Sequence, residues 1–292
     1  MPGDYKVWII LLILIIIIAL IIYVIVESSG YKIVSYDLFS DKLLDKSLKI
    51  AFLADLHNKD FGNYNETLIE SIDKFKPDIV CFSGDMVTSG WDLKYDFSGT
   101  LKFIEKLSQK YPIYYSLGNH EDMLDNDRDR FPSEYDELVR ALNDMGVHYL
   151  DNISENIDDF PVKIYGLRLS HLYFDTYYKD EIEEGVVKEA LGDVDSDVYS
   201  VLLAHDPRHF KKYASWGADL VLSGHVHGGI VSLPFFGGII APGMKFFPKF
   251  DAGLFKELNS TMILTRGIGS HLIPLRINNK AEIVFINISK EK

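Results

Sequence analysis

Leu48-Lys49-Ile50-Ala51-Phe52-Leu53-Ala54-Asp55-Leu56-His57 is a strand-length apolar run closed by a carboxylate and an imidazole. Four further apolar runs, at 78–83, 112–117, 199–204 and 219–223, lead in the same way to Asp85, Asn119, His205 and His225. Patterns of helical period at 64–75, 97–109, 132–145 and 180–191 fall between several of them. Strands alternating with helices indicate an α/β fold. Open α/β sheets place ligands at the carboxyl ends of strands, so the five runs are expected to bring five polar side chains to one edge. Further along, Met262-Ile263-Leu264-Thr265 and Glu282-Ile283-Val284-Phe285-Ile286-Asn287-Ile288 read as strands without a helical crossover, which predicts an antiparallel end to the sheet system.

The polar groups at these strand ends have metal-ligand chemistry. Asp55 and His57, at i and i+2, would point to the same side of an extended chain and could grip one ion. Asp and His are also common where strands turn into loops. In Ser83-Gly84-Asp85 the glycine lets the backbone turn and present the carboxylate, although a helix or turn cap has the same look. In Gly118-Asn119-His120-Glu121, Asn119 offers a neutral oxygen ligand and His120 a group that titrates near neutrality. A plain polar turn would account for the glycine and asparagine alone. Gly224-His225-Val226-His227-Gly228-Gly229 is the most specific motif, since two imidazoles at i and i+2 between glycines form a metal-binding loop. His148, His171, His209 and His271 fit none of these blocks and read as surface or packing residues. Arg168 and Arg266 could contact a phosphate, with surface ion pairing as the competing role, and Arg266 is carried forward as a candidate substrate contact.

Taken together, D-x-H, G-D, G-N-H-[DE], H and G-H-x-H occur in this order over residues 55–227, and the chain thereby resembles the calcineurin-like metallophosphoesterase superfamily. It is further similar to a membrane-associated bacterial-type phosphodiesterase branch with G-H-x-H-G-G, R-G-x-G and P-x-R, matched by Arg266-Gly267-Ile268-Gly269 and Pro274-Leu275-Arg276. That branch usually has glutamine after the double glycine, where this chain has Ile230. The resemblance implies a four-layer α/β/β/α sandwich of two mixed β-sheets. It implies that Asp55, His57 and His227 hold one divalent metal ion, that Asn119, His205 and His225 hold another, and that Asp85 bridges them. Two such ions, about 3.5–4 Å apart, lower the pKa of a shared water and neutralise phosphate oxygens during in-line attack, while His120 is left to protonate the leaving oxygen. Mixed imidazole and oxygen ligands suit manganese, zinc or iron. Phosphoprotein phosphatases of the superfamily support the corresponding histidine with an aspartate from G-D-x-x-D-R-G. Here the block reads Gly84-Asp85-Met86-Val87-Thr88-Ser89-Gly90, which argues against a protein phosphatase.

The N-terminus carries a different signal. Val7 to Val26 contains no charged residue, and twenty helical residues rise about 30 Å, the thickness of a bilayer's hydrocarbon core. A buried core helix and a cleaved signal peptide are the rival readings. The apolar run exceeds a signal peptide's usual ~7–15 residues and ends Tyr23-Val24-Ile25-Val26-Glu27 without a small-x-small site, which favours an uncleaved single-pass anchor in the cell membrane. The amino terminus, Asp4 and Lys6 before the span make a slightly positive head, and Glu27, Lys32, Asp37, Asp41 and Lys42 after it a slightly negative segment, which leans towards an N-terminus in the cytoplasm and the large domain outside. Glu27-Ser28-Ser29-Gly30 reads as a linker, dividing the chain into an anchor with linker, 1–30, and one domain, 31–292. With every candidate ligand beyond residue 54, nothing in the span is expected to reach the chemistry.

Composition narrows the partners. The 292 residues are 47% hydrophobic, enough for one large domain with its own core. Asp4 and Lys6 cancel within the first 26 residues, so the formal charge of −13 lies in the chain beyond them, and it argues against a nucleic-acid backbone as partner and against a nuclease. An anionic substrate then needs a local positive charge, which bound metal ions supply. Cys81 lies in an apolar run as a small hydrophobe, and a single cysteine forms no intramolecular disulfide. The expected protein is a membrane-anchored hydrolase of a phosphodiester, phosphomonoester or pyrophosphate, with a lipid-linked or envelope substrate favoured by the anchor. The alternative is a membrane scaffold that keeps the fold without the chemistry, a reading at odds with a full ligand set and His120.

Overall fold

Successive residues of a strand face opposite sides of its sheet, and this chain uses both sides of every central strand. The computed structural model describes residues 4–90, 96–174, 181–229, 232–233, 237–241, 245–246, 248–270 and 276–290. Ile230, His271, Pro274 and Leu275 lie outside the described residues. In the Leu48–Leu53 strand, Ala51 and Leu53 join one apolar cluster while Ile50 and Phe52 join a second. In the Tyr199–Ala204 strand, Val201 and Leu203 join that second cluster while Leu202 and Ala204 join a third. Three stacked clusters require four layers, and the expected α/β/β/α sandwich is what the chain forms.

One sheet has six strands in the order Tyr31–Phe39, Ala281–Ser289, Leu48–Leu53, Ile79–Ser83, Ile113–Ser116 and His148–Leu150. The other also has six, in the order Gly253–Glu257, Ser260–Leu264, Leu220–Ser223, Tyr199–Ala204, Val162–Leu167 and Ile153–Asn156. The middle cluster fills the space between the sheets with Phe52, Cys81, Leu203, Leu222 and Ile286. Cys81 is fully buried there, and burial pushes its thiol pKa up, away from reactivity. Helices Glu66–Phe75, Ser98–Ser108 and Glu134–Asp144 cover the first sheet through Ile72, Ile104 and Leu138. Helices Val186–Leu191 and Phe210–Trp216 cover the second through Val187 and Tyr213.

Two expectations are corrected in part. The Ser260–Leu264 strand is antiparallel to Gly253–Glu257 but parallel to Leu220–Ser223, and Ala281–Ser289 is antiparallel to Leu48–Leu53 but parallel to Tyr31–Phe39. Partners 41 residues away for Ser260–Leu264, and more than 230 away for Ala281–Ser289, decide the orientation, and no local pattern encodes them. Within the helical pattern expected over 180–191, the described helix is only Val186–Leu191, because Gly185 sits at its start with φ of 90°.

The N-terminal helix runs from Asp4 to Ser29, so of the expected linker only Gly30 separates helix from strand. Its Tyr5–Ser29 stretch is long and apolar enough to cross a membrane, and its most apolar 18-residue window has a mean hydropathy of 3.8. None of that window is buried against the rest of the chain, which removes the core-helix reading.

Candidate metal centre

All five strand ends that the sequence singled out meet at one edge, where both sheets present the carboxyl ends of their parallel strands. Asp55 and Asp85 follow Leu53 and Ser83, Asn119 opens the helix Asn119–Asn126, and His205 and His225 follow Ala204 and Ser223. The turns are not extended as the i, i+2 argument assumed. Asp55, His57, Asp85, His225 and His227 all have φ between 50° and 73°, in the left-handed region. This conformation costs a non-glycine residue about 1–3 kcal/mol and persists only where the surroundings impose it, as functional sites do.

The surroundings here are hydrogen bonds between turns. The Asp55 amide donates to the Gly84 carbonyl at 3.1 Å, the His57 amide to the Asp85 carbonyl at 3.1 Å, and the His225 amide to the Asp55 carboxylate at 2.9 Å. Glycines allow the approach: a Cβ on Gly118 would overlap the Asp85 carboxylate, and one on Gly224 would overlap that of Asp55.

The donor atoms fall into overlapping groups, each drawn together within 4.8 Å: Asp55, His57 and His227; His57, Asp85 and His120; and Asp85, His205 and His225. His57 Nε2 and His227 Nε2 face each other at 3.1 Å, and His227 Nε2 lies 3.4 Å from Asp55 Oδ1. His205 Nε2 lies 3.0 Å from Asp85 Oδ2, with its ring held by Nδ1 donating to the Ser83 carbonyl at 2.6 Å. His57 is held likewise, Nδ1 to Thr88 Oγ1 at 3.1 Å. A second hydrogen bond that aims the free ring nitrogen into the site is how ligating imidazoles are oriented. Asn119 Oδ1 is buried without a hydrogen-bond partner among the described residues, as a ligand oxygen would be. This mixture of imidazole nitrogens, carboxylates and one orphaned amide oxygen fits divalent cations.

Electrostatics agree. Burial pushes the Asp55 carboxyl up to about 7, reinforced by the Asp85 charge. Asp85 is buried too, yet the charges of His205 and His120 hold it well below the usual carboxylate range. Burial works against a charged His205, but Asp85 and Asp55 raise it to about 10. Burial takes His225 down to about 3. Two buried carboxylates thus recruit a positive charge, which the His205 proton provides when no metal does.

Other residues complete the site without having stood out in the sequence. Glu121, fully buried, accepts from the amides of Asp85, Gly118 and Met86, each at 2.9 Å, and from Tyr115 Oη at 2.7 Å. Ser89 surrounds His120 Nδ1 with its amide, hydroxyl and carbonyl, each at 2.9 Å, the amide serving an unprotonated and the carbonyl a protonated Nδ1. Asn279 donates to the carbonyls of His227, at 2.6 Å, and Gly229. The nearby Phe174 ring packs 4.8 Å from His225 and 5.9 Å from His205, centroid to centroid. The capping signal S/T-x-x-E could not reveal Glu121, since its N-cap is a glycine.

The remaining candidates divide. Arg266 borders Gly228, donates to Asn279 Oδ1 at 2.7 Å and lies 3.7 Å from Glu282. Arg168 is part of an ion network with Asp122 at 2.5 Å, Asp125 at 2.7 Å and Asp151 at 3.0 Å. His148 pairs with Glu155 at 2.5 Å, His171 with Asp122 at 2.7 Å, and His209 is buried in the outer layer.

Two mixed sheets in four layers, with histidines and carboxylates converging at the strand ends, define a metal-dependent hydrolase. The model of the calcineurin-like phosphoesterase family matches residues 48–229, and the chain belongs to that family. It is 29% identical over 88% of its length to an uncharacterized metallophosphoesterase of Helicobacter pylori, of which it spans 64%. It is 25% identical to the metallophosphoesterase YkuE of Bacillus subtilis, covering 82% of this chain and 78% of that protein. It is 24% identical to the phosphodiesterase YaeI of Escherichia coli over 90% of each chain. The protein is therefore a hydrolase whose clustered histidines and aspartates suggest a divalent metal site.

Proposed function

We propose that this hydrolase holds two divalent ions, manganese, zinc or iron, and cleaves a phosphodiester, phosphomonoester or pyrophosphate of a lipid-linked or envelope substrate. The observation that carries the reading is Asp85, which shares one donor group with His57 and another with His205 and His225. Asp55, His57 and His227 would hold one ion, Asn119, His205 and His225 the other, with Asp85 between them. When bound, such a pair activates water and neutralises phosphate oxygens.

The chain's own groups do the rest. In the imidazolium form of His120, Nδ1–H donates to the Ser89 carbonyl at 2.9 Å, and the Nε2 proton would pass to the leaving oxygen, leaving the ring neutral, which is the role of a general acid. Arg266, beside Gly228, is the candidate cation for a substrate phosphate oxygen. The Phe174 ring covers the His205 and His225 side and limits water there. The N-terminal helix, uncharged from Val7 to Val26, is a single-pass anchor, residues 31–292 form the catalytic domain, and the slight charge asymmetry around the span supports a domain outside the cytoplasm.

The test uses the full-length protein in detergent, reconstituted with manganese or zinc. Elemental analysis should find about two ions per chain. Asp85→Asn should lower ion content and turnover together, whereas His120→Ala should keep the ions and slow a poor alkoxide leaving group by about 10²–10⁴. A folded protein with one ion or none, or full activity of His120→Ala on such a substrate, overturns the reading. A panel of aryl phosphomonoester, aryl phosphodiester, nucleotide-diphosphate lipid and phospholipid then sorts the substrate class.

A further inference from the structure

The end of the N-terminal helix does touch the neighbourhood of the chemistry, contrary to the expectation from sequence. Tyr23 Oη accepts from the Asn278 amide at 3.2 Å, and Ser28 Oγ accepts from the Arg276 amide at 3.0 Å. Val24, Glu27 and Ser28, at i, i+3 and i+4, are the partly buried face of this last stretch, while the apolar residues before it are exposed.

The segment that the helix end meets grips the metal centre from two sides. Arg276, buried, donates to the carbonyls of Arg266 at 2.9 Å, Gly267 at 3.2 Å and Gly269. The amides of Gly269 and Ile268 in turn donate to the carbonyls of Asp55, at 2.6 Å, and Ala54, at 3.1 Å. Three residues on, Asn279 holds the carbonyls of His227 and Gly229. Ile277 and Asn278 also tie down the next piece of chain: the Ser232 amide donates to the Ile277 carbonyl at 3.0 Å, and Asn278 Nδ2 to the Ser232 carbonyl at 3.2 Å.

That next piece has an unusual composition. From Leu220 to Phe250 there is no carboxylate in a chain of net charge −13, and its fixed charges are Lys245 and Lys249. Beyond Gly229 the stretch is rich in Phe, Ile, Gly and Pro, and its described strands are pairs of two residues, Ser232–Leu233 with Gly237–Gly238 and Ile240–Ala241 with Lys245–Phe246. Apolar and aromatic side chains with lysines and no acids match a phosphate-bearing bilayer surface, which would repel the rest of this acidic chain.

The height of this surface follows from the helix. Tyr23 lies three residues before the end of the uncharged run at Val26, about 5 Å along the axis, at the interfacial level where tyrosines gather. Asn278 is bonded to it, and the next residue holds the His227 carbonyl, so the metal turn sits on the order of 10 Å from the hydrocarbon boundary. We infer that the chain around Ser232, Lys249 and Asn278 is a bilayer-contacting surface held in place by the docked helix end, and that the phosphate ester cleaved belongs to a lipid of the same leaflet. The second half rests on the proposed phosphoesterase function; the first does not.

The test places nitroxide labels on the full-length protein in phosphatidylcholine–phosphatidylglycerol vesicles. Cys81 is buried and stays unlabelled. Lys249→Cys and Asn278→Cys report the proposed surface. Leu258→Cys reports the exposed turn between Gly253–Glu257 and Ser260–Leu264, at the end of the sheet opposite the metal turns. The labels at 249 and 278 should be several-fold more accessible to lipid-soluble oxygen than to a water-soluble nickel chelate, and the label at 258 the reverse. Water-phase behaviour at both 249 and 278, or label–label broadening that shows a second copy covering them, overturns the surface. The substrate half is read with metal-loaded protein on two probes, a p-nitrophenyl ester of phosphatidic acid in the same vesicles and bis(p-nitrophenyl) phosphate in water. Turnover of the lipid probe should be at least about tenfold faster at equal bulk concentration. Lipid contact with no such preference overturns the lipid ester, whereas no turnover of either probe overturns the phosphoesterase reading and leaves the surface standing.

Discussion

Glu121→Ala should disable both the stability of this protein and its metal centre. The carboxylate is fully buried and accepts four hydrogen bonds of 2.7–2.9 Å, three from amides and one from Tyr115. Burial and the Asp85 charge raise its pKa, so ionised Glu121 is itself costly, and its removal returns part of that cost. Each stranded buried donor costs about 1–3 kcal/mol, and a net loss of about 3–5 kcal/mol remains after this offset. With a urea m-value of about 3 kcal/mol/M for a chain of this size, the unfolding midpoint should fall by about 1–2 M. Tyr115→Phe removes one of the four bonds and should cost only about 1 kcal/mol. Glu121 Oε2 joins the amides of Asp85 and Gly118, so the alanine variant also frees two metal-bearing turns from each other, and ion affinity should drop by about 10–100-fold. Urea unfolding in nonionic detergent, followed by tryptophan fluorescence, and elemental analysis measure the two effects. A Glu121→Ala protein within about 0.5 kcal/mol of the parent, or a destabilised one with unchanged ion affinity, would refute the reasoning.

Two further outcomes follow from the same geometry. In the metal-free protein burial works against a charged His205, but Asp85 and Asp55 raise it to about 10, so below that pH a metal must displace its proton. Apparent metal affinity should therefore rise about tenfold per pH unit between pH 7 and 9, with about one proton released per chain, and calorimetry in buffers of different ionisation enthalpy that finds affinity flat over this range would contradict it. Arg168→Met should cost about 3 kcal/mol, because it takes the arginine from buried Asp122, which keeps only His171 among the described residues, and from the neighbouring Asp125 and Asp151; thermal unfolding should show a fall of roughly 6–12 °C, and an unchanged midpoint would reduce the network to surface pairing.

Sequence alone determined the main elements and singled out the candidate ligands. Strand-length apolar runs and the polar groups that end them are properties of neighbouring residues, so the Leu48–Leu53, Ile79–Ser83 and Tyr199–Ala204 strands and the chemistry of Asp55, Asp85 and His205 could be read in one dimension. The length and charge of the N-terminal run are equally local. Tertiary structure decided everything that joins distant residues. His57 meets His227 across 170 positions, and Tyr23 meets Asn278 across 255. The left-handed turns at Asp55 and His225 are held by each other rather than by their own propensities, whereas the i, i+2 argument assumed an extended chain. Glu121, Ser89 and Asn279 carried no signal because their role is to satisfy buried amides, rings and carbonyls of other segments, and a group's need for a hydrogen-bond partner arises only when folding removes water from it.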